Sequence, residues 1–276
     1  MRKVALTIAG SDSGAGAGIQ ADLKTFASLG VYGTSAITAI TAQNTVGVKS
    51  VQELPAQMVK DQIEAIFNDF EVEAAKTGML ANSEIIAVVA ELVKKFKLKN
   101  LVVDPVMVAK SGDPLLKPEA INDLKSKIFP LALVVTPNLK EAEVLTEMKI
   151  TSIEDMKKAT SKILNLGPKA VVVKGGHLEG KPIDVYYDGT NFQELDAPRI
   201  MTNNNHGSGC TFSAAICGFL TLGLDLYSAV VSAKEYITQA LKASYQIGHG
   251  HGPVNQFFET KVYQAAKLKN EPIISG

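Results

Sequence analysis

The chain has 276 residues, 46% of them hydrophobic, and its 28 Lys and Arg balance 28 Asp and Glu. Zero net charge leaves no basic surplus of the kind that binds nucleic acid or an anionic membrane, so neither partner is expected. No apolar run approaches the ~20 residues of a spanning helix, and the first six residues are too short an apolar run for a secretory leader.

Residues 4–10 read as a buried first strand, and a helix follows over 19–29. Between them lies Ser11-Asp12-Ser13-Gly14-Ala15-Gly16-Ala17-Gly18. Gly16-x-Gly18-x-x-Ala21 formally fits a dinucleotide fingerprint, which also wants an acid about 20 positions on. That region, residues 35–44, has no carboxylate. The glycines are better read as letting backbone approach a small flat ligand. No Gly-x4-Gly-Lys-Ser/Thr phosphate loop occurs anywhere in the chain.

A second strand ends in Ala42-Gln43-Asn44-Thr45. Helix 56–67 and a short strand at 74–79 follow. Asn82 caps a helix to about 96. Residues 101–107 form another buried strand, ending on Asp104-Pro105. Lys110-Ser111-Gly112-Asp113-Pro114 reads as a polar lid loop. A helix spans 118–128 with Pro at its start. A strand over 131–138 leads to a helix over 139–145, and Thr151-x-x-Glu154 reads as a capping box opening a helix to about 166. Residues 170–176 form the last long apolar strand. Asp188-Gly189 sits between two short strands as a hairpin signal. Helices fill 226–247, and the tail from Gly248 is loop and then a short helix.

Strands alternating with helices imply an α/β protein with a parallel sheet covered on both faces. No Pro/Ser-rich linker divides the chain, so residues 1–276 are expected to form one domain. Cys210 and Cys217 lie seven apart on one predicted helix, too far for a disulfide, which fits a reducing cytoplasm.

The stretch Asn205-His206-Gly207-Ser208-Gly209-Cys210-Thr211 runs straight into an Ala-rich helix. A Gly-Ser-Gly run is often only a tight turn. Opening a helix, it also leaves unpaired N–H groups and a partial positive charge, which suits a phosphate or a charge developing in a transition state. Cys210 sits in the first turn, where the helix end is expected to lower its pKa.

Polar residues end several strands: Gln43, Lys76, Asp104, Asn138 with Glu141, and Lys174. Each has a plain alternative. The lysines could lie along the surface, and Asn138 with Glu141 could simply cap a helix. Together, on the edge where open α/β sheets bind ligands, they supply what phosphoryl transfer needs. Carboxylates can hold Mg²⁺, an ammonium neutralises phosphates, and N–H groups collect the transferred charge. Cys210 is then the candidate base for the acceptor hydroxyl. A nucleophilic role for it remains open, but no His/Asn partner pattern surrounds it. His249-Gly250-His251 supplies two metal ligands and no third. His177 reads as a loop polar residue.

The chain resembles a known family. Ala9-Gly10-Ser11-Asp12, Gly16-Ala17-Gly18-Ile19-Gln20-Ala21-Asp22, Lys76-Thr77-Gly78-Met79, Val103-Asp104-Pro105-Val106-Met107, Thr136-Pro137-Asn138-Leu139-x-Glu141, Lys174-Gly175-Gly176-His177 and His206-Gly207-Ser208-Gly209-Cys210-Thr211 recur in order. They are similar to the hydroxymethylpyrimidine/phosphomethylpyrimidine kinases of thiamine biosynthesis, in the ribokinase superfamily. The resemblance covers residues 4–257. It implies a three-layer ribokinase-like α/β/α sandwich with a mostly parallel sheet, ATP, Mg²⁺ and a homodimer. It implies phosphorylation of 4-amino-5-hydroxymethyl-2-methylpyrimidine and then of its monophosphate.

By the same resemblance, Gln43 meets the aminopyrimidine, and Gly10, Ala17, Asp22, Met79 and Val106 line its pocket. Asp104 and Glu141 fall in the metal–phosphate region, Asn138 and Lys174 on the nucleotide side, and Gly207, Ser208, Gly209 and Cys210 at the catalytic turn. Relatives often carry Glu at the position of Gln43, and most of the superfamily carries Asp at that of Cys210. Some bacterial pyridoxal kinases share the Cys, so pyridoxal phosphorylation is the alternative activity. A non-catalytic vitamin sensor is a third reading, which predicts decay at the turn or the carboxylates.

Overall fold

The computed structural model describes residues 2–107, 115–176 and 182–258. The predicted lid loop at 110–114, His177 and the expected short C-terminal helix lie outside the described residues.

The first strand, β1 (Val4–Asp12), pairs in parallel with β2 (Tyr32–Gln43) on one side and with β4 (Val72–Thr77) on the other. The short strands β5 (Leu101–Val103), β6 (Val134–Val135) and β7 (Ala170–Val173) continue the parallel run. An antiparallel strand closes each flank. At one edge it is β3 (Val48–Glu53); at the other it is the hairpin of β8 (Asp184–Tyr187) and β9 (Phe192–Leu195). The order is β3-β2-β1-β4-β5-β6-β7-β8-β9, one mostly parallel sheet among the described residues. The Asp188-Gly189 hairpin forms as the sequence predicts. The sequence reading missed β3: its six residues VKSVQE are mostly polar and exposed, so neither face carries an apolar pattern.

Period-two alternation places the layers. Leu101, Val103, Val135, Val171 and Val173 face one core, with α2 (Ala56–Asp69), α3 (Ser83–Lys95), α4 (Pro118–Asp123), α5 (Leu139–Thr146) and α6 (Ile153–Leu164) over it. Val102, Val134, Ala170 and Val172 face a second core, covered by α1 (Gly18–Ser28), α7 (Ser208–Leu222) and α8 (Leu226–Lys242). Strands buried on both faces read as continuous aliphatic runs, as they do here. Fully burying each Val or Leu side chain among them contributes about 1.5–3 kcal/mol.

Two local expectations change. The helix predicted over 118–128 is α-helical only to Asp123; a π-helical turn (Leu124–Ile128) and a 3₁₀ turn (Phe129–Leu131) finish it, with Pro130 in the latter ending regular helix. The cap of α6 is Ser152, whose side chain accepts from the Asp155 N–H, rather than Thr151 with Glu154. Thr151 instead donates its hydroxyl to the Asp155 carboxylate.

Helix α7 is apolar nearly all round. Ten of its fifteen residues are buried, and Leu222 alone among them is exposed. A helix of that composition belongs inside a layer. Its first turn, Ser208 to Cys210, is half-buried and opens onto the cavity.

Candidate active site

Chain connections leave β1 in one direction to β2 and return to β4 on its other side, so the strand order reverses between β1 and β4. Open α/β sheets bind ligands beyond the strand ends at such a point. A cavity of about 1080 Å³ lies there. Its wall includes Gly10, Ala17, Gln43, Met79, Val106, Asp104, Asn138, Glu141, Lys174 and all four residues Gly207 to Cys210. The expected site residues thus converge, with one exception.

That exception is Asp22. The α1 helix buries it completely, behind β1 rather than in the cavity wall. Its carboxylate accepts from the Thr7 hydroxyl at 2.6 Å and from the Lys76 ammonium at 2.8 and 3.0 Å. Burial raises the Asp22 pKa more than Lys76 lowers it. For Lys76, burial alone would lower the pKa, but Asp22, Cys210 and Asp104 outweigh it and raise it. Asp22 thus fixes Lys76, which itself lines the cavity, in its charged form, while Asp22 stays behind the wall, out of reach of the ring-contacting role expected of it.

Lys76 is the positive charge nearest Cys210 in effect. Burial pushes the Cys210 thiol up to about 11, and Lys76 opposes that shift only in part. The expectation of a lowered pKa is overturned. A helix N-terminus contributes about 0.3–1 kcal/mol, whereas burial shifts an ionisable group by up to several units.

On the nucleotide side, Asp104 at the end of β5 accepts from Lys174 at 3.0 Å, and Ser213 of α7 donates to its other oxygen at 3.3 Å. Burial alone would lower the Lys174 pKa; Asp104 and Glu141 hold it above the ordinary lysine range. Asn138 and Glu141 do form a capping box at the start of α5, with Glu141 Oε2 accepting from the Asn138 N–H at 2.7 Å. The capping reading of this pair holds, and the same residues also face the cavity. Burial, aided by the Asp104 charge and opposed by Lys174, pushes Glu141 up to about 7. Two hard carboxylates crowding one spot suit a cation such as Mg²⁺, which is typically held by one or two carboxylates plus water and phosphate oxygens. Among the described residues, no group of three or more His, Cys, Asp or Glu forms a closed cage.

The glycine turn opens α7 as the sequence implies. Gly207 is its N-cap at φ +75°, and the first helical bond is Thr211 N–H to Gly207 O at 2.8 Å. The amides of Gly209 and Cys210 thus precede the helical ladder. A Cβ built on Gly209 would lie 3.4 Å from Lys174 Nζ and 3.7 Å from Asp104 Oδ2, so the turn, the ammonium and the carboxylate share one corner. A Cβ on Gly207 would run into the Gly16 carbonyl. Gly207→Ala is expected to cost about 2 kcal/mol or more, from positive φ and that collision, and to lower the urea midpoint accordingly. An unchanged midpoint would show that the two turns do not press on each other.

Sequence reasoning missed Asp12 and His206 as parts of this site. Asp12 Oδ2 accepts from His206 Nε2 at 2.9 Å and from the Gly16 and Ala17 amides, and Oδ1 accepts from Gly14. Burial would raise the Asp12 pKa, but His206 and the Ala17 and Gly14 amides outweigh it and lower it. The Ser-Asp-Ser-Gly run held a usable signal, since Asp two residues before Gly commonly bonds the backbone ahead of it.

A ribokinase-like sheet with an amide-lined turn, a lysine and two carboxylates at its switch point defines a small-molecule kinase. A family model described as phosphomethylpyrimidine kinase matches residues 12–255, and the chain belongs to that family. A hydroxymethylpyrimidine/phosphomethylpyrimidine kinase of Rhizobium meliloti is 51% identical over 261 residues, covering 93% of this chain and 98% of that protein. The crystal structure of phosphomethylpyrimidine kinase from Clostridium difficile matches with a TM-score of 0.78 at 49% identity, over 87% of this chain and 100% of that one. The pyridoxal kinase from Staphylococcus aureus, in complex with AMP-PCP and pyridoxal, matches with a TM-score of 0.88 at 39% identity, over 95% and 96%.

Proposed function

We propose that the protein transfers the γ-phosphoryl of ATP to the hydroxymethyl group of 4-amino-5-hydroxymethyl-2-methylpyrimidine, and then phosphorylates the monophosphate to the diphosphate. The observation that carries this reading is the corner where Gly209, Cys210, Lys174 and Asp104 meet within one cavity that also reaches Gln43. The ATP-analogue complex of the S. aureus relative supports ATP as the donor.

In this reading Gln43, Gly10, Ala17, Met79 and Val106 seat the ring. Asn138 and Lys174 hold the nucleotide phosphates. The amides from Gly207 to Cys210 receive the charge of the moving phosphoryl. Cys210 takes the proton of the acceptor hydroxyl. Asp104 and Glu141 would hold Mg²⁺, which when bound would supply screening of the phosphate charge. The carboxylates and the glycine turn are intact, which argues against a non-catalytic sensor. We further propose a single catalytic domain acting as a homodimer in the cytoplasm, where Cys210 and Cys217, both free, stay reduced. No described helix is long and apolar enough to cross a membrane.

Pyridoxal is the second substrate reading, supported by the likeness to a pyridoxal-bound relative. An ADP-release assay with the pyrimidine, its monophosphate and pyridoxal decides between them. Turnover on pyridoxal alone would overturn the first reading.

The Gln43 amide is held at the pocket by its own backbone, which exchanges hydrogen bonds with the Ser13 hydroxyl at 2.6 and 2.8 Å, and by the Thr41 hydroxyl at 3.1 Å from Oε1. Gln43→Ala is expected to raise KM for the pyrimidine by about 10-fold or more, with KM for ATP little changed. Equal effects on both would count against ring recognition.

A further inference from the structure

The proposed chemistry makes no use of the Asp12–His206 pair, yet the pair is buried at the seam between the two glycine turns. The Asp12 carboxylate gathers the amides of Gly14, Gly16 and Ala17, the turn that walls the ring pocket. His206 immediately precedes the Gly207–Cys210 turn, and its ring lies so close over Gly16 that a Cβ there would strike it. One hydrogen bond of 2.9 Å therefore joins the substrate-side loop to the phosphate-side turn.

A second route joins the same two regions. The His206 N–H donates to the Gly252 carbonyl at 3.0 Å, and the His206 carbonyl accepts from Val254 at 3.3 Å. Upstream in that strap, Gly250 N–H donates to the Thr45 hydroxyl at 3.1 Å, and His251 N–H to the Thr45 carbonyl at 2.9 Å. Thr45 lies two residues beyond Gln43, and Gln43 is latched to Ser13, the neighbour of Asp12. The connections close into a circuit: Asp12, His206, strap, Thr45, Gln43, Ser13. A Cβ on Gly250 or on Gly252 would strike Thr45 or Asn204, so the strap is seated without slack.

We propose that His206 is a positioning residue: through its bond to Asp12 it sets the distance between the acceptor hydroxyl, held by the ring pocket, and the amides that receive the phosphoryl group. This rests on the reading of the Gly207–Cys210 turn as the phosphoryl-receiving element. Neither side chain exchanges a proton with substrate. Their contribution is alignment, and a misplacement of about 1 Å can cost about 100-fold in rate.

The test is steady-state kinetics on the full chain with the pyrimidine and ATP, for His206→Ala, His206→Gln, Asp12→Asn and the double variant Asp12→Asn/His206→Ala, with urea melts of each. A glutamine amide places an N–H near the position of histidine Nε2 without carrying charge. His206→Ala is expected to lower kcat about 10- to 100-fold with KM for ATP within about twofold, His206→Gln to recover most of the loss, and the double variant to be no slower than the slower single. A kcat for His206→Ala within about twofold of wild type, an equal loss in His206→Gln, or losses that multiply in the double variant would each overturn the assignment. Should His206→Ala fail to fold, near-normal His206→Gln beside slow, folded Asp12→Asn supports it, and two equally slow or two normal enzymes refute it. Wild-type turnover separates the two levels: a silent wild type sinks the functional reading and this inference with it, whereas an active wild type with unaffected variants sinks the inference alone.

Discussion

Cys210→Ala should lower kcat by about 10²–10⁴ while leaving ATP binding in place. The sulfur sits in the first turn of α7, beside the amides that precede the helical ladder, and is part of the cavity wall. Its raised pKa adds a second expectation. With the thiol pushed up to about 11, it is overwhelmingly protonated near neutrality. If the thiolate accepts the hydroxyl proton, the competent fraction grows about tenfold per pH unit well below that value. The kcat of the wild type should therefore climb between about pH 7 and 9, and the residual activity of the alanine variant should lack that climb. A flat wild-type profile together with near-normal turnover in the variant would remove Cys210 from the chemistry.

Asp22→Ala should be the most damaging change to stability. It leaves the Lys76 ammonium, fully buried, without its carboxylate partner. Breaking one side of a buried ion pair typically costs about 3–5 kcal/mol, out of a total stability of about 5–15 kcal/mol. The double variant Asp22→Leu/Lys76→Met, which removes both charges and keeps volume, should recover much of the loss in a urea melt. It should not recover full activity, because Lys76, the cation that opposes the rise of the Cys210 pKa, is gone and only Lys174 remains beside the thiol. A single variant that melts within about 1 kcal/mol of wild type would show that Lys76 finds another partner or sheds its proton.

The layers were legible because Leu101 to Val103 and Ala170 to Val173 are aliphatic on both faces, which only a covered parallel sheet explains. The site edge followed, since polar residues ending such strands must gather together. The role of Asp22 was not read correctly, although the signal was present. Ile19, Asp22 and Phe26 share one helical face, and both apolar members are buried, so an acid between them needs a buried partner. Lys76, set in the buried strand β4, is the matching demand. The Asp12–His206 bond was illegible for a different reason. It spans 194 positions, and neither residue is marked by any local period. The raised Cys210 pKa is not legible, because a sequence displays the helix end but not how much protein covers it.

From Thr211 to Gly218 helix α7 is buried without a break among the strands, α1 and α8, with Gly218 pressed against Leu29. It cannot pivot without emptying both neighbours. Its central amides should then exchange with deuterium only when the entire protein unfolds, at a free energy equal to the global value. Whatever motion admits ligand and releases product must be borne by the opposite rim, while the phosphate-receiving end stays as still as the sheet beneath it.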